Sequence, residues 1–344
     1  MTLVRWIWEG RSLAARLAAL PLWPLALLYK VASLVREALY RQGIFETIAL
    51  PLPSVAVGNL TVGGAGKTPV AAWIADWLLG RGAKPAILLR GYGEDEPLVH
   101  ARLVPRALVQ ANPDRALGAA AARRAGATVL VLDDAFQTLR VARDVNLALV
   151  ALEQESYSPL PLPAGPWREG WGALRRADGI IVTRKNAPAS AASALADHLA
   201  AAWPQTPLGV VHLDLIGFEG LRSGQALPGE ALVGRRILAA AGVADPRSFA
   251  AQLEAHSGPS GTVQLVTYQD HHAYSDADVA TLLNAAATAD YVVVTEKDAV
   301  KLRSRWPADA REPLVATLGV RWERGQHAIE ALLSSLTDSS TPEI

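Results

Sequence analysis

The stretch that decides the fold of this chain is Val57-Gly-Asn-Leu-Thr-Val-Gly-Gly-Ala-Gly-Lys-Thr-Pro69. A short apolar run, residues 54–57, precedes it and predicts a strand, and the residues from Lys67 to about Leu79 predict a helix. Glycines let the backbone curl so that successive N–H groups face a phosphate, and the start of a helix adds positive partial charge. We therefore predict a phosphate-binding loop.

This loop also predicts the ATP contacts. Lys67 is expected to reach the β- and γ-phosphates, and Thr68 to bind Mg²⁺. Only the first glycine of the strict pattern is missing, because Thr61 stands there. Val62 stands where dimerising ATPases with a related loop carry a lysine, which counts against membership of that class. We expect a monomer. The predicted nucleotide contacts are Thr61, Val62, Gly63, Gly64, Ala65, Gly66, Lys67 and Thr68, together with Gln137 further along the chain.

A second acidic element is expected beside such a loop. The apolar residues 129–132 predict a buried strand, and Asp133 and Asp134 follow directly. A carboxylate at the end of a neighbouring strand can order Mg²⁺ or its waters. Taken alone, the same pattern would also fit a helix cap.

Apolar strands alternating with helices predict an α/β fold, with a mostly parallel sheet covered by helices on both faces. We expect a helical segment at 1–50, a nucleotide-binding and catalytic domain at 51–205, and a second α/β lobe at 206–338. Residues 339–344 are expected to be disordered. Residues 220–234 contain Gly and Pro and predict a hairpin at a sheet edge.

Composition excludes several classes of protein. Hydrophobic residues make up 51% of the 344 residues and charged residues 19%, which is apolar for a soluble enzyme. Its 33 basic and 33 acidic residues balance, so nothing indicates a nucleic-acid partner. The chain has no cysteine, which excludes disulfides, thiol catalysis and Cys-bound zinc.

The apolar excess is concentrated near the N-terminus. Residues 1–42 carry six Lys or Arg against two Glu, and residues 17–29 are uncharged. Thirteen uncharged residues are fewer than the roughly 20 that a membrane-spanning helix needs. We expect an amphipathic helix that binds a membrane surface through its apolar side chains and flanking cations. A signal peptide and a helical hairpin packed on the protein's own core are the alternatives.

Blocks in one fixed order along the chain resemble the tetraacyldisaccharide 4'-kinase family, the lipid A kinases of the bacterial inner membrane. The phosphate loop matches the family's own variant, with Thr61 included. The other matching blocks are Arg90-Gly-Tyr-Gly93, Asp95-Glu-Pro97, Asp114-Arg115, Asp133-Asp-Ala-Phe-Gln137, Arg143-Asp144, Leu162-Pro-Ala-Gly-Pro166 with Arg168-Glu169, Gly242-Val-Ala-Asp-Pro246, Asp270-His-His-Ala-Tyr274 and Thr295-Glu-Lys-Asp-Ala-Val-Lys-Leu302.

The resemblance implies transfer of the ATP γ-phosphate to the 4'-hydroxyl of a tetraacylated glucosamine disaccharide at the cytoplasmic face of the inner membrane. It implies that Asp95 takes the hydroxyl proton, with His271 paired to it. Glu96, with Asp133 or Asp134, would bind Mg²⁺, and Arg115 would neutralise the developing phosphoryl charge.

Each of these residues also has a plainer interpretation. Asp95 could be a turn residue and His271 a surface histidine. Arg115 could belong to a helix cap formed with the preceding aspartate. Residues 296–298, Glu-Lys-Asp, could be the solvated start of a helix.

Two departures from the family bear on the acceptor. Ala135 and Thr138 replace a glycine and a histidine that family members usually have after the paired aspartates. The family's long two-stranded lid is also missing, since only Glu94 separates Gly93 from Asp95. Lids exclude water and commit the substrate. A kinase for another amphipathic or sugar acceptor, or a membrane protein that binds nucleotide without transfer, therefore remain alternatives.

Overall fold

The computed structural model describes residues 3–10, 12–91, 93, 95–154 and 158–338. The strands are β1 Ser54–Asn59, β2 Pro85–Leu89, β3 Leu108–Ala111, β4 Val129–Leu132, β5 Val145–Ala151, β6 Gly179–Arg184, β7 Leu208–Gly220, β8 Ala226–Leu227, β9 Arg236–Ala241, β10 Thr262–Thr267, β11 Tyr291–Thr295 and β12 Leu314–Arg324. The helices are α1 Leu3–Glu9, α2 Leu13–Ala19, α3 Trp23–Arg41, α4 Lys67–Leu79, α5 Asp95–Leu103, α6 Arg115–Arg124, α7 Ala189–Ala202, α8 Pro246–Ser257, α9 Asp276–Ala286, α10 Glu296–Leu302 and α11 Gln326–Asp338.

The chain forms two compact units. The first unit comprises Met1–Arg90, Arg106–His212 and Trp322–Ile344, and the second comprises Gly91–Pro105 and Leu213–Arg321. The units are interleaved along the chain, whereas we expected consecutive domains. Strands β7 and β12 each contribute residues to both units. The consecutive division stays a prediction, and the expected disordered tail at 339–344 lies outside the described residues.

The first unit is built on a parallel sheet with the strand order β7-β6-β5-β1-β4-β2-β3. Its central strands β1, β4 and β5 are buried along their whole length, as expected for strands covered on both faces. Val55 of β1 lies in register with Val131 of β4 and Val145 of β5. Helix α4 packs on β1, β2 and β4. The sheet therefore places the C-terminal ends of β1 and β4 side by side.

The second unit contains the parallel strands β10-β9-β11-β12. Strand β8 pairs antiparallel with β7 through Phe218 and Leu227, so the hairpin predicted at 220–234 is present. Helix α10 follows β11 directly and packs on α5. The predicted fold class, a mostly parallel α/β sheet in two lobes with an apolar helical N-terminus, is confirmed.

The N-terminal helical run corrects one expectation. Leu13–Arg41 is 29 residues long and, by length and composition alone, could cross a membrane. Our count stopped at the charges that flank residues 17–29, but the helical run continues through Arg16 and Lys30. The inference that this segment is too short to span was therefore wrong.

Most apolar side chains of this run do not pack on the described part of the chain. Leu17, Trp23 and Leu28 are exposed, and only 11% of its most apolar window is buried. Near the C-terminal end of α3, Glu37 accepts a hydrogen bond of 2.6 Å from Arg175. This pattern disfavours the alternative of a hairpin packed on the protein's own core, because the apolar surface of the helix remains uncovered.

Candidate active site

The phosphate loop has the backbone that its glycines predict. Gly66 adopts φ +81° and caps α4, and Gly63 adopts φ +122°, so both lie in the region that disfavours residues with a side chain. Val70 N–H donates to the Gly66 carbonyl at 3.1 Å, so regular helix begins at Lys67. Buried Thr61 donates its hydroxyl to Gln154 Oε1. The loop is thus fixed by its own backbone at Gly66 and by Gln154 in the segment after β5.

Lys67 is held by two partners at the ends of adjacent strands. Its Nζ donates to Asn59 Oδ1 at 3.1 Å and lies 3.6 Å from Asp134 Oδ1. Asn59, the last residue of β1, is fully buried and also donates from Nδ2 to the Thr61 carbonyl at 2.7 Å. One buried amide therefore fixes both the lysine and the loop backbone.

Asp134 follows β4 with a positive φ of 49°. Arg168 Nη1 donates to its Oδ1 at 2.8 Å. Burial would raise the pKa of Asp134, but Lys67 and Arg168 outweigh it and lower the pKa below its usual value. The carboxylate is therefore ionised at neutral pH beside the phosphate loop.

Asp133 and Arg115 are brought together at the end of β4. Arg115 Nη2 donates to the Asp133 carbonyl at 2.8 Å, and both side chains are buried. The helix cap that we allowed as an alternative is real but belongs to Asp114, whose carboxylate accepts from Ala116 N–H at 2.9 Å. The expected contact of Arg115 with a phosphoryl group stays a prediction.

The donors for Mg²⁺ fit a phosphate-bound ion rather than an all-protein site. No group of three or more His, Cys, Asp or Glu side chains among the described residues could hold a metal. Mg²⁺ usually keeps several waters and binds one or two carboxylates plus substrate phosphates. In the first unit, Thr68, Asp133 and Asp134 have the residue types of such a donor set, and their part in Mg²⁺ binding stays a prediction. Glu96 lies in the second unit, and its part in Mg²⁺ binding stays a prediction.

Gln137 joins the phosphate-loop network from the segment after β4. Its Nε2 donates to the Asn59 carbonyl at 2.9 Å and to Glu169 Oε2 at 3.1 Å. Arg168 Nη1 donates to its Oε1 at 3.4 Å. Asn59, Arg168 and Glu169 were not among the predicted site residues, although all three lie in the blocks that resemble the family. A direct contact of Gln137 with nucleotide stays a prediction.

In the second unit, Asp95 and His271 are in contact. Asp95 is the first residue of α5, and its Oδ2 lies 3.0 Å from His271 Nδ1. Lys301 Nζ of α10 lies 3.0 Å from the same oxygen. Burial would raise the pKa of Asp95, but Lys301 and His271 outweigh it and lower that pKa. Asp95 is therefore a helix residue rather than a turn residue. His271 does lie in a turn at the surface, as the alternative interpretation has it, and it contacts Asp95 from there. The catalytic roles of both residues stay predictions.

The start of α10 is not a solvated helix end either. Asp298 is fully buried and accepts from Tyr274 Oη at 2.9 Å and from Gly242 N–H at 3.0 Å. Glu296 is also buried, and that burial raises its pKa to about 8. Lys297 is the more exposed of the three and lies 4.0 Å from Glu96. Asp298 thereby ties α10 to the segment that carries His271.

Four features together define a P-loop nucleotide-binding protein. They are strand β1, the glycine loop with Gly66 in the left-handed region, helix α4 beginning at Lys67, and a carboxylate at the end of the neighbouring strand β4. The pairing of Asp95 with His271 adds a candidate base for transfer to a hydroxyl. The family described as LpxK, tetraacyldisaccharide-1-P 4'-kinase, matches residues 18–337, and this chain belongs to it. The resemblance drawn from the sequence is confirmed.

Individual relatives are similar to this chain over most of their length. The tetraacyldisaccharide 4'-kinase of Pelobacter propionicus is 36% identical over 335 residues, covering 90% of each chain. That of Geobacter metallireducens is 38% identical over 300 residues, covering 80% of this chain and 86% of the relative. The crystal structure of LpxK from Aquifex aeolicus in complex with ATP superposes with a TM-score of 0.72 at 25% identity, covering 93% of this chain and 99% of that one.

Proposed function

We propose that this protein is an ATP-dependent kinase that phosphorylates the 4'-hydroxyl of a tetraacylated glucosamine disaccharide 1-phosphate, a lipid A precursor. The observation that carries the proposal is the family match over residues 18–337. The described residues of each unit support it, because the phosphate loop with its acidic partners in the first unit and the Asp95–His271 pair in the second have the residue types that the reaction needs.

Phosphoryl transfer asks a protein mainly for positioning and for neutralisation of charge. Lys67 and the loop N–H groups bind the β- and γ-phosphates of ATP. Thr68, Asp133 and Asp134, with Glu96 from the family resemblance, would hold Mg²⁺, which when bound neutralises charge on the phosphate oxygens. In this proposal Arg115, which donates to the Asp133 carbonyl at the end of β4, neutralises charge on the transferred group.

Asp95 acts as the base in this proposal. Its ionised carboxylate takes the proton of the 4'-hydroxyl as the hydroxyl oxygen bonds to the γ-phosphorus and the bond to the ADP oxygen breaks. His271 supports the carboxylate through the 3.0 Å contact to Oδ2. A base must lie within hydrogen-bond reach of the proton that it takes. The lowered pKa of Asp95 keeps its carboxylate ionised, and so without a proton of its own, at neutral pH.

We propose that the reaction takes place at the cytoplasmic face of the bacterial inner membrane, where the protein, as a monomer, would meet an acylated substrate. The exposed apolar side chains of Leu13–Arg41 support this, since an amphipathic helix binds lipid in proportion to its buried apolar area. The segment's flanking cations add attraction to anionic headgroups. No nucleic-acid partner is proposed.

The test is transfer of label from [γ-³²P]ATP to a detergent-dispersed tetraacyldisaccharide 1-phosphate, with the product's added phosphate verified by mass spectrometry. Lys67→Ala and Asp95→Asn should abolish or strongly reduce the labelled lipid. Lys84→Ala, a surface lysine of the same unit, serves as the matched control. Failure of the wild-type protein to label this acceptor, while it hydrolyses or binds ATP, would overturn the assignment.

A second acceptor is favoured by one observation, the short connection at residues 90–94 between β2 and α5. This connection stands where family members have the lid, so the way in which the protein closes over the sugar would differ. A panel of acylated monosaccharides, disaccharides and other amphipathic alcohols, each read by mass spectrometry, separates the two. ATP binding without transfer to any acceptor would instead indicate a nucleotide-binding membrane protein.

A further inference from the structure

Helix α3 buries a carboxylate although most of its apolar side chains are exposed. Across Trp23–Arg41, every residue of which the structure describes, the buried side chains are Ala26 and Glu37, and Glu37 is 8% exposed. Leu27 and Leu28, in contrast, are more than half exposed. Replacing a buried ion pair by apolar residues of similar volume is often neutral or stabilising. Stability alone therefore gives no reason for a glutamate at this position.

Glu37 is paired with two arginines of the segment before β6. Its Oε1 accepts a hydrogen bond of 2.6 Å from Arg175 Nη2 and lies 3.1 Å from Arg176 Nη1. Burial, together with the charge of Arg176, lowers the pKa of neighbouring Arg143 to about 10, because water screens these cations weakly. Glu37 is therefore a counter-ion that holds Arg176 in a poorly hydrated place.

Arg176 also contacts the hydrogen-bond network of the phosphate loop. Its Nη2 donates to Glu169 Oε2 at 2.6 Å, and the same oxygen accepts from Gln137 Nε2 at 3.1 Å. Gln137 Nε2 donates in addition to the Asn59 carbonyl at 2.9 Å, and the Asn59 side chain accepts from the lysine of the phosphate loop. The buried carboxylate of α3 is therefore joined to that lysine by a continuous series of ion pairs and hydrogen bonds.

Arg36, the residue before Glu37, contacts Gln137 directly. Its Nη2 donates to the Gln137 carbonyl at 2.7 Å. Two adjacent side chains of α3 therefore act on one residue: Arg36 holds its backbone, and Glu37 holds its side-chain amide through the intervening arginine and glutamate. All of these residues belong to the first unit. The end of the helix that carries the exposed apolar side chains is thereby fixed to a predicted nucleotide contact.

We propose that Arg36 and Glu37 are positioning residues of the nucleotide site, which hold Gln137 against the end of β1 so that the phosphate loop is ordered before ATP binds. The inference rests on the proposed function, because its readout is the binding of ATP by this loop. A site that is fixed beforehand binds more tightly, since less conformational freedom is lost on binding. Loss of either contact to Gln137 should therefore weaken ATP binding.

A double-mutant cycle tests this, with a non-hydrolysable ATP analogue titrated into the full-length protein in detergent and the Kd read by calorimetry. Glu37→Gln should raise the Kd by about 3- to 30-fold, the range for residues that act on a site through a contact network. In the Gln137→Leu background, where the side-chain amide is missing, Glu37→Gln should change the Kd by less than about twofold. Asp197→Asn, the same carboxylate-to-amide change in an exposed ion pair with Arg324 of the same unit, is the control and should leave the Kd unchanged.

Equal fold-losses in the two backgrounds would overturn the proposal, because Glu37 would then act independently of Gln137. An unchanged Kd in Glu37→Gln would also overturn it, since the carboxylate would then only anchor the helix. Should Glu37→Gln fail to fold, Arg36→Met decides: it removes the direct contact from an exposed side chain, and an unchanged Kd there contradicts the proposal. A wild-type protein that binds the analogue but transfers no phosphate would overturn the proposed function, whereas the binding cycle decides this inference in either case.

Discussion

Replacing Asn59 with leucine tests whether a residue of β1 orients the lysine of the phosphate loop. Asn59 is fully buried, accepts from Lys67 Nζ at 3.1 Å and donates to the Thr61 carbonyl at 2.7 Å. Leucine has a similar volume and no polar atom, so both bonds are lost without a large cavity. The loop sequence 61–68 itself is unchanged.

The magnitude follows from the two lost bonds. A hydrogen bond to a charged group contributes about 1.5–3 kcal/mol, so misdirection of Lys67 should lower kcat/KM for ATP by about 10- to 150-fold. The Thr61 carbonyl also loses its Asn59 donor in a buried place, which costs about 1–3 kcal/mol in the free energy of unfolding. We expect both effects together in Asn59→Leu.

A matched control lies on the neighbouring strand. Asn146 of β5 is also buried and donates to a backbone carbonyl at 2.7 Å, that of Arg176, but does not contact the loop. Asn146→Leu should lower stability by a similar amount and leave kcat/KM for ATP within about twofold. Initial-rate kinetics and urea unfolding of both variants give the comparison. Equal kinetic losses in the two variants, or unchanged kinetics in Asn59→Leu, would refute the reasoning.

Three further outcomes are expected. Leu27 and Leu28 are 63% and 65% exposed, and replacing both with serine should weaken binding to anionic vesicles by at least about 100-fold, as measured by vesicle co-sedimentation. The reason is that each leucine side chain buried in lipid contributes about 1.5–3 kcal/mol. Burial raises the pKa of Glu296 to about 8, so the folded state holds the proton of this carboxyl more tightly than the unfolded chain does. The stability from this group is therefore full below the unfolded pKa of about 4.5 and is lost as the pH rises toward 8. Glu296→Gln should flatten this decline, as measured by urea unfolding at pH 5 to 8. Gly58→Ala should destabilise by about 1–3 kcal/mol in thermal or urea unfolding, because a Cβ there would lie 2.6 Å from the backbone nitrogen of Phe136.

Several elements of the fold follow from local sequence alone. The apolar or alanine-rich runs at 67–79, 145–151 and 189–202 predict a helix, a strand and a helix, and the structure has helix α4, strand β5 and helix α7 with those bounds. Each is a mostly apolar or alanine-rich run that begins beside a Gly, Pro or charged residue. The tendency of such a run to be buried comes from its own side chains, so residues remote in sequence change the bounds of the element little.

Strands β7 and β12 run further than their apolar residues indicate. Their apolar runs predict strands near 208–213 and 314–317, but the strands extend to Gly220 and Arg324. The added residues include glycine and charged side chains, which carry no strand signal of their own. Strand preference depends on the neighbours that pair and pack with it, and those neighbours are remote in sequence.

The amino-acid sequence by itself determined the phosphate loop, because its glycines, Lys67 and Thr68 are contiguous and the chemistry uses the backbone between a strand and a helix. Only the tertiary structure decided the partners of this loop, which are Asn59 for Lys67 and Arg168 for Asp134. In the second unit, it likewise decided that Lys301 contacts Asp95. Asp95 and His271 are 176 residues apart, and no local pattern says which carboxylate oxygen the histidine contacts. That choice depends on where folded helices place their side chains, to within a few tenths of an ångström.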